Sequence, residues 1–96
     1  MPSRKVLSTQ ELTRQAEHVP HWKVVDGKKL ARTYSFPDFQ KGLDFVNKVG
    51  AIAEKQGHHP DVHLSWGSVE VETSTHDAGG LTEQDFLLAS QIDQLD

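Results

Sequence analysis

The chain contains no cysteine, which excludes disulfide staples, thiolate metal sites and thiol nucleophiles. Positive charge is scarce: 10 Lys and Arg stand against 14 Asp and Glu in 96 residues, a formal charge of −4. Non-specific nucleic-acid binding needs clustered basic residues, so no nucleic-acid partner is expected. Long apolar runs are missing as well. No stretch approaches the roughly 20 residues of a membrane span. Arg4-Lys5 is followed only by Val6-Leu7 before Ser8-Thr9-Gln10, too short for a signal-peptide core. Apolar residues make up 35% of the chain and aromatics 7%, enough for one core and no more. These shortages predict a single cytoplasmic domain over residues 1–96, with no membrane partner. Histidine is the exception. There are six, and four of them (His58, His59, His63 and His76) fall within nineteen positions.

The order of elements follows from punctuation and period. Ser8-Thr9-Gln10-Glu11 is a capping box, with Leu7 and Leu12 placed as a hydrophobic staple, and predicts a short helix ending near His18-Val19-Pro20. Asp26-Gly27 between His21–Val25 and Lys28–Phe36 predicts a two-residue type I′ hairpin. Leu30, Tyr34 and Phe36 share one strand face, with Arg32 interrupting the row. Asp38 caps a helix running to about Lys55, with Phe39, Leu43, Val46, Val49, Gly50 and Ala53 as its apolar stripe; Gly57 and Pro60 end it. Alternation in Val62, Leu64 and Trp66, then in Val69, Val71 and Thr73, predicts a second hairpin through a Gly67-Ser68 type II′ turn. Thr82 and Asp85 open a last helix, with Leu81 and Phe86 as its staple. The order is αββαββα. The economical packing is an α+β fold, a four-stranded antiparallel sheet with helices on one face. Unpaired sheet edges are liabilities, so a homo-oligomer whose sheet extends across subunits is expected.

Three features could carry chemistry: Glu54-(x)3-His58-His59-Pro60, His76-Asp77 and Asp85. Each has an ordinary reading. Histidines near a helix C-terminus suit its dipole, His76 can simply begin a glycine-rich loop, and Asp85 caps a helix. Glu54 is a surface acid that at i, i+4 can hydrogen-bond His58. His63 is expected as a solvated strand residue. Pro60 forces His59 out of the helical region, so the two adjacent imidazoles leave the helix in different directions. Pairing of the second hairpin would bring Asp61 toward Thr73–Thr75, and with it His76 toward His58 and His59. Histidine titrates near pH 6.5, so one such ring can act as base and another as acid, each contributing roughly 10² to 10⁴ in rate. That arrangement suits cofactor-free dehydration. Zinc binding by three histidines is the other reading, and the divergence of adjacent side chains argues against it.

Glu54-Lys55-Gln56-Gly57-His58-His59-Pro60, Trp66 and Ser74-Thr75-His76-Asp77-Ala78-Gly79-Gly80-Leu81-Thr82-Glu83-Gln84-Asp85-Phe86, with Trp22 and the Phe36–Phe39 region, resemble the pterin-4a-carbinolamine dehydratases. The resemblance implies an α+β fold forming dimers or tetramers. It implies dehydration of 4a-hydroxytetrahydropterin to quinonoid dihydropterin, in support of tetrahydrobiopterin-type cofactor recycling, with no cofactor or metal of its own. His58, His59 and His76 would be the active-site histidines. His58 and His76 would move the protons and His59 would hold the substrate; which ring is acid and which base stays open. Gly57 to His59 and Ser74 to Asp77 would cradle the pterin, with Glu54, Pro60, Trp66 and Asp85 in support. The chain departs from animal relatives at Val62-His63, where an aromatic is common, and nothing in it points to the transcription-factor partner some of them bind. The competing class is a non-catalytic dimerisation or coactivator module.

Overall fold

The computed structural model describes residues 5–95. Helix α1 covers Thr9–Ala16, strands β1 and β2 cover Lys23–Val25 and Lys29–Ser35, and helix α2 covers Phe39–Gln56. Strands β3 and β4 (Asp61–Ser65 and Ser68–Thr73), a 3₁₀ turn at His76–Ala78 and helix α3 (Glu83–Asp93) complete the expected order. The sheet runs β1-β2-β4-β3, antiparallel throughout, so the second hairpin packs its later strand against the first hairpin.

Local chemistry sets the boundaries. The Ser8 hydroxyl accepts the Glu11 N–H and the Glu11 carboxylate accepts the Ser8 N–H, the reciprocal pair that starts α1. Asp38 accepts the Lys41 N–H at 2.8 Å and starts α2. Gly57, at φ 72°, turns the chain out of α2.

Both hairpin turns differ from expectation by one residue. Asp26 and Gly27 take positive φ (55° and 66°), as a type I′ turn requires, but pairing resumes at Val25↔Lys29, which leaves Lys28 as an extra loop residue. In the second hairpin Ser65 faces Ser68, so Trp66-Gly67 is the turn. Gly67, the second central residue, holds the positive φ of 82°, the pattern of type II rather than II′.

The core lies between one sheet face and the helices. Leu30, Val69 and Val71 from the sheet meet Phe45 and Val49 of α2 and Phe86, Leu88, Ala89 and Ile92 of α3, nearly all fully buried. Each such aliphatic side chain contributes about 1.5–3 kcal/mol by leaving water. The buried face of α2 is Gly42, Phe45, Val49 and Ala53. The expected stripe is therefore right at Val49 and Ala53 and wrong at Phe39 and Gly50, which are exposed. Phe45 takes the central place instead and stacks on Tyr34 and Phe36, with centroids at 4.6 and 5.1 Å.

Arg32 does not interrupt the inward row of β2. It belongs to it, because α3 delivers a carboxylate there. Asp93 Oδ1 accepts from Arg32 Nη1 (2.7 Å), Tyr34 Oη (2.7 Å) and Trp22 Nε1 (2.8 Å). This knot ties the end of α3 to β2 and to the segment before β1.

Candidate active site

Helix α3 presents a second carboxylate to the sheet from its first turn. Asp85 is fully buried and accepts hydrogen bonds on both oxygens. Oδ1 takes His58 Nε2 at 2.6 Å and Thr73 Oγ1 at 2.7 Å. Oδ2 takes Thr75 Oγ1 at 2.8 Å and the Thr82 backbone N–H at 3.0 Å. The capping role expected of Asp85 is present. One oxygen caps α3 and the other holds His58.

The protons in this network can be placed one by one. Each threonine hydroxyl has a single hydrogen. Thr75 spends its hydrogen on Asp85, so across the 2.9 Å contact with Thr82 the Thr82 hydroxyl is the donor. Thr82 Oγ1 in turn accepts the Gln84 N–H. A carboxylate offers about four lone-pair sites, and here hydroxyl or amide donors fill three. The fourth contact is His58 Nε2, which must then be the N–H donor. The consequence falls on the other ring nitrogen: Nδ1 makes no hydrogen bond among the described residues and in the neutral ring is the acceptor.

His58 reaches Asp85 because α2 stops where it does. The N–H groups of Gly57 and His58 both bond to Ala53 C=O, at 2.9 and 3.2 Å. The chain then turns through left-handed Gly57, and the His58 side chain enters the core, only 8% exposed. His59 goes the other way, with 61% of its side chain exposed, and pairs with Glu54 through Nε2. The divergence expected from Pro60 is present. The expected Glu54–His58 contact is not; Glu54 holds His59, and the buried acid takes His58.

His76 stands on the loop that follows β4. The Thr75 carbonyl accepts the N–H groups of Ala78, Gly79 and Gly80 at 3.0 to 3.4 Å, which closes residues 75–80 into a tight loop. Thr75 thus anchors the loop from both sides, by its carbonyl and by its hydroxyl on Asp85. The His76 ring is exposed and lies 3.4 Å from Ser74 Oγ through Nε2. It lines a cavity of about 360 Å³ together with Ser74, Thr75, Gly79, Lys28 and Lys29, a volume in the range of small-molecule pockets. His58 and His59 do not line that cavity. Asp77 is exposed on the same loop.

Trp66 stands apart. It is 73% exposed at the tip of the β3–β4 hairpin, and five residues of β3 separate it from Pro60, roughly 16 Å of strand. Within one chain it does not join the histidines. One group of metal-capable side chains gathers elsewhere, on the open sheet face: the donor atoms of His63, Glu70 and Glu72 lie within 4.8 Å of one another. Glu72 is also paired with Lys29 at 3.1 Å. None of His58, His59 and His76 belongs to that group.

Sequence reasoning missed the Thr73 and Thr75 hydroxyls as donors to Asp85. The available signal was Thr73 itself, a polar residue at an inward position of a strand whose other inward residues are Val69 and Val71.

Residues 5–95 match the profile of the family described as "Pterin 4 alpha carbinolamine dehydratase", and the chain belongs to that family. Relatives named "Putative pterin-4-alpha-carbinolamine dehydratase" include one from Rubrobacter xylanophilus, 47% identical over 93% of this chain and 83% of its own length. Another, from Methylococcus capsulatus, is 43% identical over 93% of this chain and 79% of its own. Among solved structures, a transcriptional coactivator/pterin dehydratase from Brucella melitensis superimposes with a TM-score of 0.84 at 30% identity, covering 91% of this chain and 94% of that one. A pterin dehydratase-like protein described as a RuBisCO assembly factor of the alpha-carboxysome shares the fold alone, with a TM-score of 0.64 at 19% identity.

Proposed function

We propose that the protein dehydrates 4a-hydroxytetrahydropterins to quinonoid dihydropterins, with His58, His59 and His76 as its active-site histidines. The observation that carries this reading is the buried contact of His58 Nε2 with Asp85 Oδ1 at 2.6 Å, which in the neutral ring makes Nε2 the donor and leaves Nδ1 as acceptor. Family membership supports the substrate class. In the reaction the C4a–O bond breaks, the hydroxyl leaves as water after gaining one proton, and N5 loses one proton as the C4a=N5 double bond forms. His58 Nδ1 takes the N5 proton, and Asp85 stabilises the resulting imidazolium. His76, on the exposed rim of the loop, gives the proton to the departing hydroxyl. One proton enters the substrate and one leaves, so the reaction needs no redox partner and no metal.

His59, held by Glu54, and the backbone of Gly57 and of Ser74 to Asp77 border the substrate, and Pro60 sets the direction of His59. The protein works as a cytoplasmic homodimer or homotetramer, using the sheet edges that β1 and β3 leave unpaired among the described residues. It serves recycling of a tetrahydrobiopterin-type cofactor. A second reading, a binding module for another protein, draws on exposed Trp66 and on Phe39, which is 44% exposed.

One assay separates the two. Freshly generated carbinolamine is followed by ultraviolet absorbance with wild type and with His76→Ala. The enzyme reading predicts acceleration over the spontaneous reaction and a loss of roughly 10²- to 10⁴-fold in the variant. A rate indifferent to the protein supports the binding module, and acceleration that His76→Ala leaves unchanged removes His76 from the site.

A further inference from the structure

His58 and Thr73 meet on one atom. Asp85 Oδ1 accepts the imidazole N–H at 2.6 Å and the Thr73 hydroxyl at 2.7 Å, while Oδ2 is held by Thr75 and the Thr82 N–H. Thr73 is 2% exposed and sits at the end of β4 opposite Leu30, so its backbone is fixed by ladder pairing. A carboxylate anchored only through Oδ2 can swing about its Cβ–Cγ bond. Anchored at both oxygens it cannot, and the plane in which it meets His58 is set. The direction of His58 Nδ1, on the far side of the same ring, is set with it.

We propose that Thr73 is a positioning residue: its hydroxyl locks the orientation of the Asp85 carboxylate and, through it, the ring of His58. The proposal rests on the reading of His58 as a participant in dehydration, and it deepens that reading by adding a residue that touches no substrate. A hydroxyl at this place has no other task in the described structure, because Oγ1 of Thr73 makes this one hydrogen bond. The other inward residues of this strand, Val69 and Val71, are both valines.

Thr73→Val removes the hydroxyl at nearly constant volume, and Thr73→Ser restores it. Two readouts are taken on the intact protein. The first is the imidazole Nε2–H proton resonance of His58, assigned by nitrogen-15 labelling, with no ligand present. It should be distinct in wild type and in the serine variant, and displaced and broadened in the valine variant. The second is steady-state dehydration. kcat should fall about tenfold in the valine variant with KM unchanged, and recover with serine. An unmoved resonance overturns the proposal whatever the rates show, and so does a displaced resonance beside an unchanged kcat. If wild type itself fails to dehydrate any carbinolamine, the dehydratase reading falls while the resonance still decides the coupling. Should the valine variant not fold, Thr73→Cys, a weak donor of similar size, is scored by the same criteria.

Discussion

The imidazole of His58 and the carboxylate of Asp85, 27 positions apart in the chain, meet at 2.6 Å in the interior. Replacing Asp85 with Asn keeps the shape and inverts part of the chemistry. The amide offers donors where His58, Thr73, Thr75 and the Thr82 N–H all need acceptors. Asp85→Asn is expected to lower the dehydration rate by roughly 10²- to 10⁴-fold. It should also destabilise the fold by about 1–3 kcal/mol through the orphaned buried donors. Urea unfolding and the absorbance assay on the same preparation check both.

Gly57 holds φ 72°, a region that costs a side-chain-bearing residue about 1 kcal/mol. Gly57→Ala should lower stability by about that amount. It should cut activity further than stability explains, because the turn aims His58 inward and His59 outward. Activity equal to wild type at a temperature where both are fully folded would refute the link between turn and site.

Asp93 gathers Trp22, Arg32 and Tyr34 at the far end of α3 from Asp85, eight residues or roughly 12 Å along the helix. Asp93→Ala leaves three donors without their acceptor. The expected loss is about 1–3 kcal/mol, or a fall in Tm of roughly 4–20 °C for a chain of this size. Dehydration by the folded protein should be unchanged. Calorimetry and the rate assay together distinguish the structural role of Asp93 from the role proposed for Asp85.

Tyr34 is the only tyrosine in the chain. Burial first, and then its bond to Asp93 and the nearby charge, raise its hydroxyl well above the usual range. The folded state therefore favours the protonated phenol. That contribution is intact below about pH 10, where the unfolded chain also keeps its proton, and is lost as pH rises beyond it. Stability should fall more steeply above pH 10 in wild type than in Tyr34→Phe, and tyrosinate absorbance should appear together with unfolding. Tyrosinate forming with the fold intact near pH 10 would contradict the assignment.

The fold was legible because its punctuation is local. Ser8, Asp38, Gly57 and Thr82 mark helix ends by their own hydrogen-bonding or backbone preferences, and alternation in β2, β3 and β4 gives the strands. What stayed hidden depends on partners distant in sequence. The phase of α2 needed the position of Tyr34, which draws Phe45 inward and leaves Phe39 outside. Arg32 reads as a break in its inward row, and Thr73 reads only as the last member of the alternation in β4. Each is instead the mate of a carboxylate that α3 carries to the sheet, Asp93 for Arg32 and Asp85 for Thr73. Polar residues at inward strand positions were the readable trace of both buried acids. The crowding of histidines was visible along the sequence, but spacing alone assigned Glu54 to the wrong member of the adjacent pair, because only tertiary packing sends His58 to Asp85.

The claim on which the function turns is that His58 and His76 act on one bound pterin. It is tested most directly by titrating the labelled protein with a stable, fully oxidised pterin while following the ring resonances of both histidines. The account predicts that the two move together with one dissociation constant, and that Asp85→Asn weakens both responses. A pterin that moves His76 alone, or neither ring, at saturating concentration would contradict it.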